Sequence, residues 1–76
     1  MRMRRYQDLG KGSGVDAYCI GDEMISVRFI DGTTYDYTYA STGRDNVEQM
    51  KALARAGRGL AHFIKHNVRG NFERQY

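Results

Sequence analysis

The fold of this 76-residue chain is decided by residues 25–37, which read ISVRFIDGTTYDY. Apolar residues alternate with polar ones on both sides of an Asp-Gly turn signal, a pattern typical of a β-hairpin. A three-residue loop over residues 30–32, a type I turn followed by Gly32 in the left-handed region, keeps both apolar sets on one sheet face. This register pairs Val27 with Tyr35 and Ile25 with Tyr37. A two-residue loop would separate the two sets, so we predict the three-residue loop.

The hairpin extends into a three-stranded antiparallel meander over residues 15–39, because apolar and aromatic residues keep the same alternation there. The turn signal at residues 21–23 separates the first strand from the second. We expect the helices to pack on the face that carries Phe29. Alanine at Phe29 or Phe63 should then be among the most destabilising substitutions.

Two helices follow the meander. We expect a loop at residues 41–44, after which Asp45 or Asn46 caps a helix that ends near Ala56. Gly57 stands where a left-handed residue ends a helix, and Gly59 allows a second change of direction. The second helix carries apolar residues at helical spacing: Leu60, Phe63, Ile64 and Val68. The sequence therefore predicts an α+β fold of βββαα order, with both helices on one sheet face.

Length and composition limit the class of protein. A chain of 76 residues, with 41% hydrophobic and 28% charged residues, suits one globular domain of marginal stability, for which self-association is an option. We expect a basic arm and glycine-rich linker at residues 1–14, the domain at 15–70 and a tail at 71–76. The single Cys19 cannot form an internal disulfide, and no apolar segment follows the basic start. We therefore expect a cytoplasmic protein.

Charge is segregated along the chain. Residues 1–5 sum to +3, residues 6–39 to −4 and residues 40–76 to +4. The polar side of the second helix carries a cationic stripe, composed of Arg58, His62, Lys65, His66 and Arg69. The basic arm adds Arg2, Arg4 and Arg5, followed by Tyr6, which could stack on a base. These groups suit phosphates, so the sequence predicts RNA or single-stranded nucleic acid as the partner.

Other interpretations of these surfaces stay open. The stripe is also what any solvated helix face looks like, and the two helices with a glycine turn resemble a DNA-reading helix-turn-helix. Tyr35, Tyr37 and Tyr39 are either a stacking platform for bases or, as the hairpin parity favours, core and rim residues. The alternative function is protein interaction, by self-association or docking on an acidic partner. Its surface would be the outer sheet face around Tyr18, Met24 and Ile30.

Catalytic and metal patterns are weak. His62 and His66 are four residues apart, as metal ligands on a helix often are, but no third ligand is placed by spacing. Cys19 lies in a predicted strand, where we expect a small buried hydrophobe. The serines have no base at a diagnostic spacing. We therefore expect a protein that is not an enzyme, with no metal or cofactor, no small-molecule substrate and no membrane partner.

Several segments resemble a known family. They are Ile25-Ser26-Val27-Arg28-Phe29, Asp31-Gly32, Tyr35-Asp36-Tyr37, a helix that begins with valine, a glycine-containing turn and the closing Val68-Arg69. In these features residues 15–70 resemble the KTSC domain, a small module found at the C-terminus of some lysyl-tRNA synthetases and as a stand-alone bacterial protein. The resemblance implies a compact α+β fold, no known chemistry and a role in binding nucleic acid or protein.

Overall fold

The computed structural model describes residues 2–76, which form a five-stranded antiparallel sheet with helices on one of its faces. In chain order and in spatial order the strands are β1 (Arg4–Arg5), β2 (Val15–Gly21), β3 (Met24–Phe29), β4 (Thr34–Thr38) and β5 (Arg74–Gln75). The helices are α1 (Tyr39–Thr42), α2 (Arg44–Ala56) and α3 (Leu60–Phe63), which continues as a π-helical turn over Ile64–Val68. Within residues 2–76, every helix is too short or too polar to cross a membrane.

The α+β class is confirmed, but the βββαα order does not match the structure. β1 and β5 add one short edge strand on each side of the predicted meander, and α1 covers the first half of the predicted loop. Strands of two residues have no readable alternation, so only long-range pairing defines them.

The hairpin between β3 and β4 has the predicted register. Val27 lies opposite Tyr35, and Ile25 lies opposite Tyr37. The Gly32 N–H donates to the Phe29 carbonyl at 2.9 Å, and Gly32 has a φ of +91°. A β-branched or bulky residue would be strained at this φ, which explains why glycine ends the turn.

The core lies between the sheet and the helices. Its fully buried apolar side chains, each 0% exposed, are Ile25, Val27, Val47, Met50, Leu60 and Val68. Phe29 and Phe63 are only half-buried at its edge, so the expectation that they dominate core stability is corrected. Tyr18 is 7% exposed and pairs with Val27, which places it on the helix face. The prediction of Tyr18 on the outer sheet face is therefore wrong.

The N-terminal segment is folded onto the domain. β1 pairs with β2, and Tyr6 is 4% exposed in the core, where its hydroxyl accepts a hydrogen bond from the Leu60 N–H at 3.3 Å. Gly57 has a φ of +76°, and a Cβ there would lie 2.7 Å from the Cβ of Gln7. This close approach lets the segment cross the turn between α2 and α3. Within residues 2–14, Arg4 and Arg5 therefore pair with the sheet, and Tyr6 is too buried to stack on a base.

Helix α2 begins earlier than predicted. Its N-cap is Gly43 rather than Asp45 or Asn46, because α1 ends directly before it. α1 itself is started by a capping box between Thr38 and Ser41, a local signal that closes β4 before Tyr39. The predicted left-handed C-terminus of α2 at Gly57 is confirmed.

The sheet face away from the helices carries a buried carboxyl group. Asp36 is 9% exposed and accepts hydrogen bonds from the hydroxyls of Ser26 and Tyr76, each at 2.5 Å. Tyr76 reaches Asp36 because β5 pairs with β4 and places Arg74 opposite Asp36. The predicted tail at residues 71–76 therefore contains an edge strand that is anchored to the sheet.

Loss of the Tyr76 hydroxyl tests this anchor. We expect Tyr76→Phe to lower the free energy of unfolding, because the variant loses the hydrogen bond to Asp36. Tyr18→Phe is the matched control, because within residues 2–76 the Tyr18 hydroxyl has no hydrogen-bond partner, and a change below about 0.5 kcal/mol is expected. Urea unfolding of both variants measures the difference. Equal losses in the two variants would contradict the anchoring role.

Candidate functional site

An open groove of about 590 Å³ lies between the β3–β4 hairpin and the π-helical turn. Its aromatic wall is formed by Phe29, Tyr35 and Phe72, and Ile30 extends the wall at the hairpin tip. These side chains meet here because the register puts Phe29 and Tyr35 on the helix face, while the chain returns through Phe72 before it enters β5. The groove therefore combines two strands, the second helix and the C-terminal segment.

The aromatic rings of the groove pack against one another. Phe29 meets Tyr35 edge-to-face, with ring centroids 5.7 Å apart, and Tyr35 contacts Phe72 with centroids 4.9 Å apart. Such pairs contribute roughly 0.5–1.5 kcal/mol beyond their buried area. Tyr37 lies deeper, at 1% exposure, and burial raises its pKa to about 12. The wall is thus a half-buried surface of aromatic rings that contact one another.

Two cations and one acid give the groove its charge. Lys65, in the π-helical turn, and Arg69, directly after it, line the helix side. Across residues 2–76, neither side chain has an ion-pair or hydrogen-bond partner. Asp31 lines the hairpin side, where the backbone N–H of Thr33 donates to its carboxylate at 2.9 Å and lowers its pKa. The helix side of the groove is therefore positively charged, and the hairpin side carries one negative charge.

The predicted cationic stripe is divided in the structure. Only Lys65 and Arg69 line the groove, whereas Arg58 lies in the turn between α2 and α3. His62 and His66 are exposed, and their rings lie with centroids 4.2 Å apart. The π-helical turn carries Lys65 and His66, and such turns occur frequently at functional sites.

The three arginines of the predicted arm line two different cavities. Arg2 and Arg4 line a cavity together with Arg55 of α2. Arg5 lies on the opposite side of β1, in a cavity with Arg28 and the carboxylate of Asp16. Since Arg28 Nε donates to Asp16 Oδ2 at 2.9 Å, the charge near Arg5 is partly neutralised.

Sequence reasoning missed the aromatic groove. Tyr35 was predicted in the core or at its rim and Phe29 in the core, and the structure places both at the rim, where the groove opens. Phe72 lies in the segment that was predicted to be a tail. The sequence does contain one signal of this packing: Phe72 is a large apolar residue among polar ones. Such a residue in a tail often packs back onto the domain.

Within residues 2–76, the structure shows little geometry that metal binding or thiol chemistry could use. Residues 2–76 contain no group of three His, Cys, Asp or Glu side chains that could hold a metal ion. Cys19 is half-buried rather than fully buried, because it alternates with the core residues of β2 and faces the other side of the sheet. Its neighbours at the cavity edge are the arginines described above.

Comparison with known proteins gives no relative. No family model, curated protein or solved structure matches this chain. The resemblance to the KTSC domain therefore stays a prediction.

Proposed function

We propose that the protein is a non-enzymatic module that binds RNA or single-stranded DNA in the aromatic groove. The observation that carries this proposal is an open aromatic wall with two unpaired cations along one side. Unpaired bases stack on aromatic side chains whatever their sequence, while Lys and Arg neutralise the phosphates. Lys65 and Arg69 line the same groove as Tyr35 and Phe72, so one strand would meet both kinds of contact.

A single strand suits the groove better than a duplex. The aromatic wall is concave and formed by half-buried side chains, so only a base turned out of a stack would reach it. We therefore expect stacking to supply most of the affinity and the two cations to supply its dependence on salt.

Salt dependence tests the electrostatic part. Fluorescence anisotropy with a labelled oligouridine should give a log–log salt slope that becomes less negative by about 1.4 in the Lys65→Ala/Arg69→Ala variant, since each lost phosphate contact contributes about 0.7. Lys11→Ala/Arg58→Ala removes the same charge outside the groove and is the control, whose slope we expect to match the wild type. Equal slopes for all three proteins would refute the groove as the binding site.

Stacking has its own test. Phe72→Ala should weaken oligouridine binding about 5- to 150-fold at every salt concentration without changing the slope, because base stacking contributes about 1–3 kcal/mol per base. Phe63→Ala is the matched control, since Phe63 is also half-buried but lies outside the groove. A duplex bound as tightly as the single strand would count against stacking.

A second candidate function, docking of another protein chain, is favoured by Ile30. This side chain is 78% exposed at the hairpin tip beside the groove, where it could contact an apolar partner. In that case Ile30→Ser would weaken the protein complex, or self-association measured by sedimentation, with little dependence on salt. Oligouridine binding would be absent from the wild type.

A further inference from the structure

We propose that Arg2, Arg4 and Arg55 form a second anion site, which binds the phosphate of an organic phosphate monoester or diphosphate. The three side chains line one cavity of about 440 Å³, between the N-terminal segment, β2 and the last turn of α2. This site shares no lining residue with the aromatic groove. It therefore does not depend on the function proposed for the groove.

Strand geometry brings the three arginines together. Arg4 pairs with Tyr18, which is buried on the helix face, so Arg4 extends from the edge of the sheet on the side of α2. Arg2 lines the same cavity from two residues earlier, and Arg55 reaches it from the last turn of α2. Arg5 pairs with Ala17 and points to the other face, as expected for neighbours on a strand.

The cavity has an excess of positive charge. Among the described residues, Arg2, Arg4 and Arg55 have no ion-pair or hydrogen-bond partner, and the cavity lining contains no carboxylate. Charged side chains on an edge strand discourage edge-to-edge pairing, and a cation suits a helix C-terminus. Neither effect requires unpaired cations from two separate elements to line the same cavity. A phosphate complements them, because guanidinium groups bind its oxygens in a bidentate manner.

The remaining wall indicates an organic phosphate rather than a bare ion. Tyr18, Cys19 and Ile20 form this wall, and Cys19 and Ile20 are half-buried rather than fully covered. A phosphate monoester carries about −1.5 to −2 at neutral pH, which three guanidinium groups can neutralise. The source is either a free nucleotide or the 5′-phosphate of a nucleic-acid strand, since both present the same charged group beside an organic one.

The side-chain NMR signals of Arg2, Arg4 and Arg55 report on this cavity, because all three residues line it. Bound ADP should shift these three signals. Arg4→Gln should weaken ADP binding about tenfold or more, as expected for loss of a charge-assisted hydrogen bond. Its neighbour Arg5→Gln removes the same charge from the opposite face and should change binding by less than about twofold.

Two further arms separate the sources and the sites. A short 5′-phosphorylated oligonucleotide that shifts the three arginine signals more than its 5′-hydroxyl form supports a strand end as the ligand, and shifts caused by ADP alone support a free nucleotide. Lys65→Ala/Arg69→Ala should leave either effect unchanged, so failure of the groove does not affect this proposal. The proposal is overturned if neither compound shifts the signals of Arg2, Arg4 and Arg55, or if Arg5→Gln weakens binding as much as Arg4→Gln.

Discussion

Alanine at Leu60 is expected to lower the free energy of unfolding by about 2–5 kcal/mol, the range found for leucines deleted from well-packed cores. Leu60 is 0% exposed and packs between the sheet and the helices, so its loss leaves a cavity that neighbouring elements cannot fill. A chain of 76 residues has a total stability of roughly 4–11 kcal/mol. The substitution therefore removes a large part of the stability, and we expect the melting temperature to fall by about 10–30 °C.

Leu9→Ala is the matched control for this prediction. Leu9 is 51% exposed. It contributes to the fold through its backbone N–H, which donates a hydrogen bond to the Gly57 carbonyl at 2.7 Å and is kept in the alanine variant. We expect a change within about 0.5 kcal/mol, as for most exposed positions. Calorimetry or urea unfolding compares the two leucines directly. Similar losses at both positions would show that the core is not centred where the structure places it.

The hairpin could be predicted because its information is local. Two alternating segments and one glycine at the end of the turn leave a single register that keeps the apolar side chains together, and that register is confirmed at Val27 and Ile25. The same holds for the end of α2, where Gly57 adopts the left-handed conformation that the sequence indicates. At these positions the propensity of the segment and the packing of the domain favour the same structure.

The edges of the sheet could not be predicted, since they depend on contacts distant in sequence. β1 and β5 are two residues long, too short to show any alternation, and the burial of Tyr6 depends on a hydrogen bond to Leu60, 54 positions away. The prediction of the residue at which α2 begins was wrong for a related reason. Asp45 is a better N-cap than Gly43 by propensity, but the capping box at Thr38 begins a preceding turn of helix that fixes the position of α2.

The same distinction applies to the candidate sites. The sequence predicted Lys65 and Arg69 as phosphate ligands because helical spacing places them on one polar face, and the structure brings both to the groove. It could not show that Phe72 would complete an aromatic wall, nor that Arg55 would join Arg2 and Arg4. Both juxtapositions arise only when the two ends of the chain fold back onto the domain.

Alkaline pH is expected to destabilise the protein through Tyr37. Tyr37 is 1% exposed, and burial in the core raises its pKa from the ordinary 10 to about 12 in the folded state. Below pH 10 the hydroxyl is protonated in both states, so its contribution to stability is fully present. Between about pH 10 and pH 12 the unfolded chain loses this proton while the folded chain keeps it, so the stability falls as pH rises.

The expected loss is about 2–3 kcal/mol by pH 12, at roughly 1.4 kcal/mol for each unit of pKa difference. Lysines and other tyrosines also ionise in this window, so the measurement compares wild type with Tyr37→Phe by urea unfolding at a series of pH values. The phenylalanine variant should gain stability relative to wild type from pH 10 upward, because its ring has no proton to lose. A difference between the two proteins that stays constant from neutral pH to pH 12 would mean that the Tyr37 hydroxyl is reached by water in the folded state.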